Sequence, residues 1–104
     1  MIRVTALYPN KPDAKFDFDY YLNKHAKMFV EKLAPFGFIK AEIDRGIGGI
    51  QPGSPTPYVA LMSIVFNSIE DFQKFLVAHG DEIMADVPNY TNIEPQMQVS
   101  EILM

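Results

Sequence analysis

The chain opens on strict alternation: Ile2, Val4, Ala6 and Tyr8 fall on one side of an extended segment, Arg3, Thr5 and Leu7 on the other. Residues 2–8 therefore predict a strand with one buried face. Pro9, Asn10, Pro12 and Asp13 end it, because prolines remove backbone donors and Asn and Asp bond their own backbone in turns. The period then lengthens. Phe18, Tyr21, Leu22, His25, Met28, Phe29 and Leu33 recur at three and four residues, the stripe of one helix face. Asp17 is placed to cap that helix, and Pro35 and Gly37 to stop it. Residues 38–47 alternate again, with Ile39, Ala41, Ile43 and Ile47 against Lys40, Glu42 and Asp44, and predict a second strand. The next ten residues, 48–57, hold three glycines and three prolines and predict a loop.

Residues 58–66 predict a third strand that is apolar on both faces: Tyr58, Ala60, Met62, Ile64 and Phe66 on one, Val59, Leu61 and Val65 on the other. A strand covered on one side only alternates with polar residues, so both of its faces are expected to be covered. Ser68 to Asp71 has the form of a helix start. The helix is expected to run through Phe72, Phe75, Leu76 and His79 and to close at Gly80, with His79 as a C-terminal cap and a short second turn over 81–87. Alternation returns over residues 95–103 as a fourth strand. The order β-α-β-β-α-β predicts an α+β, ferredoxin-like domain over residues 1–104, with two helices on one face of a four-stranded antiparallel sheet. Met62 and Ile64 are expected to face the chain's own helices. Leu61 and Val65 are expected to be buried by a second copy, making a homodimer paired sheet to sheet.

Composition narrows the function. The formal charge is −4 and the nine Lys and Arg residues are scattered, which argues against nucleic-acid binding. The absence of cysteine excludes thiol nucleophiles, disulfides and thiolate metal sites. No run approaches the roughly 20 apolar residues of a membrane helix, and the opening strand pattern lacks a secretory signal, so a cytoplasmic protein is expected.

The candidate chemistry centres on His25. It lies in the apolar stripe of the first helix, one turn after Tyr21 and one before Phe29. A polar ring there is either a core histidine satisfied by a backbone or hydroxyl partner, or a general acid or base lining an apolar pocket. Tyr21 shares its face, whereas Tyr20 is expected to point well round the helix. No metal site and no cofactor follow from the residues, although a haem needs only one axial imidazole.

Two stretches carry a likeness to a known family: Phe18-x-Tyr20-Tyr21-x-x-x-His25, and Asp86-x-x-Asn89-Tyr90-Thr91-x-x-x-Pro95 leading into the last strand. With Leu7-Tyr8-Pro9-Asn10 at the end of the first strand, the chain resembles the EthD family, named for a protein associated with ethyl tert-butyl ether degradation. Lys27 and Met28 stand where that family often has proline and leucine. The resemblance implies a dimeric α+β barrel related to muconolactone isomerases, polyketide cyclases and small cofactor-free or haem-using monooxygenases. It implies a small enzyme, of oxidoreductase or isomerase type, or an accessory protein. Such a protein would act on an apolar small molecule, with His25 handling a proton and Tyr21 helping to orient it. The alternatives are a non-catalytic binding or stability module and a haem-handling protein.

Overall fold

The computed structural model describes all 104 residues. Four strands, β1 (Ile2–Pro9), β2 (Phe38–Arg45), β3 (Tyr58–Phe66) and β4 (Gln96–Glu101), form one antiparallel sheet in the order β2-β3-β1-β4. Two helical elements connect them: α1, residues 18–33, between β1 and β2, and α2 (Ile69–Ala85) between β3 and β4. This is the ferredoxin-like α+β arrangement that the alternation predicts.

The inner face of the sheet carries the core. Val4, Ala6 and Tyr8 of β1 and Ala60, Met62, Ile64 and Phe66 of β3 are all buried and pack against Tyr21, Phe29 and Leu33 of α1 and Phe75 of α2. Phe66, Leu33 and Tyr21 are fully sealed. The predicted caps are formed: the Asp17 carboxylate accepts from the Tyr20 amide at 3.0 Å, and Ser68 Oγ accepts from Asp71 at 3.3 Å. Gly37 closes α1 after a short 3-10 turn, its φ of 71° being cheap only for glycine.

In four places the structure departs from the periodic reading. Ile39 is 44 % exposed because β2 bulges there: Phe38 pairs with Phe66 and Lys40 with Val65, so Ile39 is the extra residue and Phe38 turns inward instead. Ile47, beyond the end of β2, is almost entirely exposed. The second helix does not close at Gly80. It continues to Ala85, since one glycine costs a helix only about 1 kcal/mol, and His79 sits inside it, bonded through Nδ1 to Glu82. Val65 is on the outer face, between Arg3 and Lys40, yet it is already 3 % exposed within its own chain. That overturns the expectation that a second copy buries it. Its neighbour on that face, Leu61, is half-buried and lies opposite Leu7.

Replacing Phe66 with Ala is expected to cost about 3–5 kcal/mol of stability in urea unfolding. Ile39→Thr, at the bulge, is expected to change it by less than about 0.5 kcal/mol. An equal loss in both would contradict the register described.

Candidate active site

The first helix contains an irregularity that no heptad reading shows. Residues Tyr21–His25 wind as a π turn, with the Ala26 amide bonded to the Tyr21 carbonyl five residues back. A π turn needs one more residue per turn than an α-helix, so side chains five apart come round to the same side. Tyr20 and His25 are such a pair. Both reach one carboxylate, that of Asp86, which caps the C-terminal end of α2. The Tyr20 hydroxyl donates to Asp86 Oδ1 at 2.7 Å, and His25 Nδ1 lies 2.9 Å from Oδ2. The Asn89 side-chain amide adds a third donor to Oδ1 at 2.8 Å.

The segments that flank this carboxylate are tied together by backbone. The Asp17 amide donates to the Tyr90 carbonyl at 2.7 Å, Phe16 pairs with Thr91, and Thr91 Oγ1 donates to the Lys15 carbonyl at 2.6 Å. These bonds hold the chain after α2 against the start of α1. They set Tyr90 beside His25, with ring centroids 4.6 Å apart, and Tyr21 stacks on the imidazole at 5.4 Å with planes 15° apart, its own ring 4.7 Å from that of Tyr90. Tyr8 Oη and Tyr90 Oη are 2.7 Å apart, whereas the fully buried Tyr21 hydroxyl has no partner.

Electrostatics fix the proton on His25. Burial opposes the charge on Asp86, but hydrogen bonds from Asn89, Tyr20 and His25 and the imidazole's charge outweigh it and hold its pKa below the usual carboxylate value. An ionised carboxylate only accepts, so His25 Nδ1 carries the hydrogen and Nε2 the lone pair. Burial pulls the His25 pKa below 6.5, against the opposing hydrogen bond and charge of Asp86, which keeps the ring neutral at pH 7. Nε2 makes no hydrogen bond to the protein and is not sealed off.

His25 is one wall of a cavity of about 70 Å³ between the inner sheet face and α2, lined by 18 residues of which 15 are hydrophobic. Val4, Ala6, Tyr8, Ile64 and Tyr90 form its floor and sides. Leu76, Met84 and Met97, each close to half exposed, mark its mouth. Only Phe75 of the whole of α2 is buried, so the cavity's roof is thinly packed. The volume is well below the roughly 300–1,000 Å³ that encloses drug-sized ligands. It suits a molecule of a few heavy atoms and does not fit a haem. No group of three or more His, Cys, Asp or Glu is arranged to hold a metal ion, and no helix is long and apolar enough to cross a membrane.

The structure stacks Tyr21 on His25 but leaves Tyr21 out of the cavity lining, so the two do not share a cavity wall as the common helix face suggests, and it corrects the position of Tyr20, which the π turn carries to Asp86. Asp86, Asn89, Tyr8 and Tyr90 were not picked out as site residues by periodicity. A carboxylate at a helix C-terminus faces the negative end of the helix dipole, and that misfit is the signal that marks Asp86.

The site is a His25–Asp86 dyad whose imidazole lines an apolar cavity, on a ferredoxin-like α+β scaffold. An EthD-like protein from Ralstonia eutropha JMP134 superposes with a TM-score of 0.92 at 33% identity, covering 99% of this chain and 92% of that one. The chain belongs to the EthD family. An EthD family protein from Bacillus halodurans C-125 aligns over 99% of both chains at 20% identity and a TM-score of 0.67. A dimeric ferredoxin-like protein from an uncultured marine organism shares the fold at 10% identity and a TM-score of 0.63, over 99% of this chain and 94% of that one. No protein-family model matches the chain, and no curated protein does so significantly.

Because His25 binds a proton more readily in the unfolded chain than in the folded one, its contribution to stability is intact above pH 6.5 and falls as pH drops below it. Asp86 adds a second loss at pH below its ordinary value of 3.8. Ring-selective NMR is expected to show His25 as the Nδ1–H tautomer with a midpoint below 6.5. Asp86→Asn removes the charge that favours the imidazolium and is expected to lower that midpoint further, with a stability loss of about 1.5–3 kcal/mol. A rise in the midpoint would contradict the dyad. Tyr21→Phe, by removing an unpaired buried hydroxyl, is expected to leave stability unchanged or raise it by up to about 1 kcal/mol in urea unfolding.

Proposed function

We propose that this chain is a small cofactor-free enzyme that moves a proton on an apolar small molecule, with His25 as the general base. The observation that carries this reading is that His25 lines an apolar cavity with its Nδ1 held by Asp86 and its Nε2 unbonded and not sealed off. Asp86 fixes the tautomer and stabilises the imidazolium once the proton arrives. Tyr21 holds the ring plane by stacking. Few groups compete for that proton inside the cavity, since its lining is apolar apart from His25 and two tyrosines. A carbanion made there is reprotonated at another carbon, which is isomerisation, or gives up electrons to dissolved dioxygen, which is cofactor-free oxidation.

The same proposal includes a homodimer joined through the outer sheet face. Leu7 and Leu61 form a half-buried apolar pair on the two central strands of that face, flanked in their own row by Asp44 and Gln96 and in the next by Glu42, Ser63, Thr5 and Gln98. The dimeric ferredoxin-like neighbour lends support to the assembly.

For the base, deuterium exchange from solvent into a panel of small 1,3-diketones and cyclic enones is followed by NMR. The wild-type chain is expected to exceed the buffer rate on at least one, and His25→Ala to lose about 10²–10⁴-fold of it. Buffer-level exchange by wild type across the panel, with binding retained, favours a non-catalytic binding module instead. For the assembly, light scattering is expected to give twice the 11.8 kDa of one chain. Leu61→Glu is expected to return the single-chain mass, and a wild-type monomer at micromolar concentration would defeat the dimer.

A further inference from the structure

Three phenol hydroxyls, those of Tyr8, Tyr21 and Tyr90, are buried in one aromatic cluster and share a single hydrogen bond. The ring centroids of Tyr8, Tyr21 and Tyr90 lie 4.7–6.1 Å from one another. Each hydroxyl has one proton to donate. In the Tyr8–Tyr90 pair one hydroxyl donates to the other across 2.7 Å; the Tyr21 hydroxyl is near enough to influence Tyr8 but makes no contact of hydrogen-bond geometry, so the acceptor's proton is left spare. A buried donor with no acceptor is destabilising, whereas phenylalanine fills nearly the same volume without that penalty. Packing alone therefore explains the rings and leaves the oxygens unexplained.

Two of these tyrosines, Tyr8 and Tyr90, line the same cavity as His25. We infer that the Tyr8–Tyr90 hydroxyl pair donates its spare proton in a hydrogen bond to a carbonyl oxygen of the ligand, and that the substrate class is a small ketone with an acidic hydrogen on the adjacent carbon. The catalytic part of this inference rests on His25 being the base. With the carbonyl oxygen at the tyrosine pair, the adjacent carbon faces the imidazole of His25, whose ring neighbours that of Tyr90. His25 Nε2 takes the proton. The C–H electron pair becomes the carbon–carbon double bond of an enolate, and the carbonyl π pair moves to oxygen, where the phenol proton meets it. Return of the proton from His25 to the same or a conjugated carbon regenerates a ketone and the neutral base, so no oxidant or reductant is consumed. Burial raises the pKa of Tyr8, and burial with the influence of Tyr8 raises that of Tyr90, so both remain protonated donors at neutral pH.

The test compares carbonyl-13C cyclopentanone with methylenecyclopentane, which has the same shape and no acceptor. Wild type is expected to bind the ketone about tenfold tighter, with its carbonyl resonance moved downfield. Tyr8→Phe/Tyr90→Phe is expected to abolish both the preference and the shift and leave methylenecyclopentane affinity unchanged. Tyr21→Phe and His25→Ala are expected to keep them, since binding of the ketone draws on its carbonyl as acceptor and offers Nε2 no hydrogen-bond donor. Failure of wild type to bind either compound, equal binding of both, or a preference that survives the double variant would overturn the inference. Preference without His25-dependent exchange would instead remove the base, and exchange without preference would remove the donor pair, so the two failures separate.

Discussion

The carboxylate of Asp86 is where the two halves of the molecule meet. It ends α2, and it is held by three donors: Tyr20 and His25 from the middle of α1 and Asn89 from the turn that follows. At the C-terminus of a helix a negative charge is disfavoured by about 0.3–1 kcal/mol. Hydrogen bonds to a charged group contribute about 1.5–3 kcal/mol each, so the three donors overcome that opposition several times over. The state of His25 follows from this arrangement. A carboxylate that can only accept dictates which ring nitrogen carries the hydrogen, and so which keeps its lone pair.

Because so little of α2 is buried, this polar tie has more influence on the helix than it would under a thickly packed one. The cavity exists for a related reason. Gly80, inside α2, lines it without a side chain, and β4 leaves Met97 half exposed where the helix stops covering the sheet. Loose packing and a fixed dyad are thus complementary: the apolar walls can adjust to a ligand while the imidazole stays in place.

The fold was legible in the sequence because it depends on period. Val4, Ala6 and Tyr8, or Met62, Ile64 and Phe66, announce a buried face by alternation alone. What escaped the reading was every local change of period. The bulge at Ile39 moved Phe38 inward, and the π turn at Tyr21–His25 moved Tyr20 onto the face of His25. Gly80 misled in the opposite sense, since glycine stops a helix only where the backbone turns left-handed, as it does at Gly37 and not there. At the site, His25 and Tyr21 were found because they follow the α-helical stripe. Asp86, Tyr8 and Tyr90 come from three other segments, and only the fold brings them to the imidazole. Val65 marks a limit of another kind: periodicity assigns a residue to a face but says nothing of how far its own chain already covers it there.

The π turn also bears on how such a site arises. A helix that gains one residue without losing its flanking contacts absorbs the insertion as a single widened turn, so the segments on either side keep their faces. Phe18 before the turn and Phe29 and Leu33 after it still pack against the same core. The one residue by which the turn exceeds a regular α-helical turn is what lets a tyrosine and a histidine five apart meet the same carboxylate. A polar site formed in this way leaves the packing of the sheet beneath it unchanged.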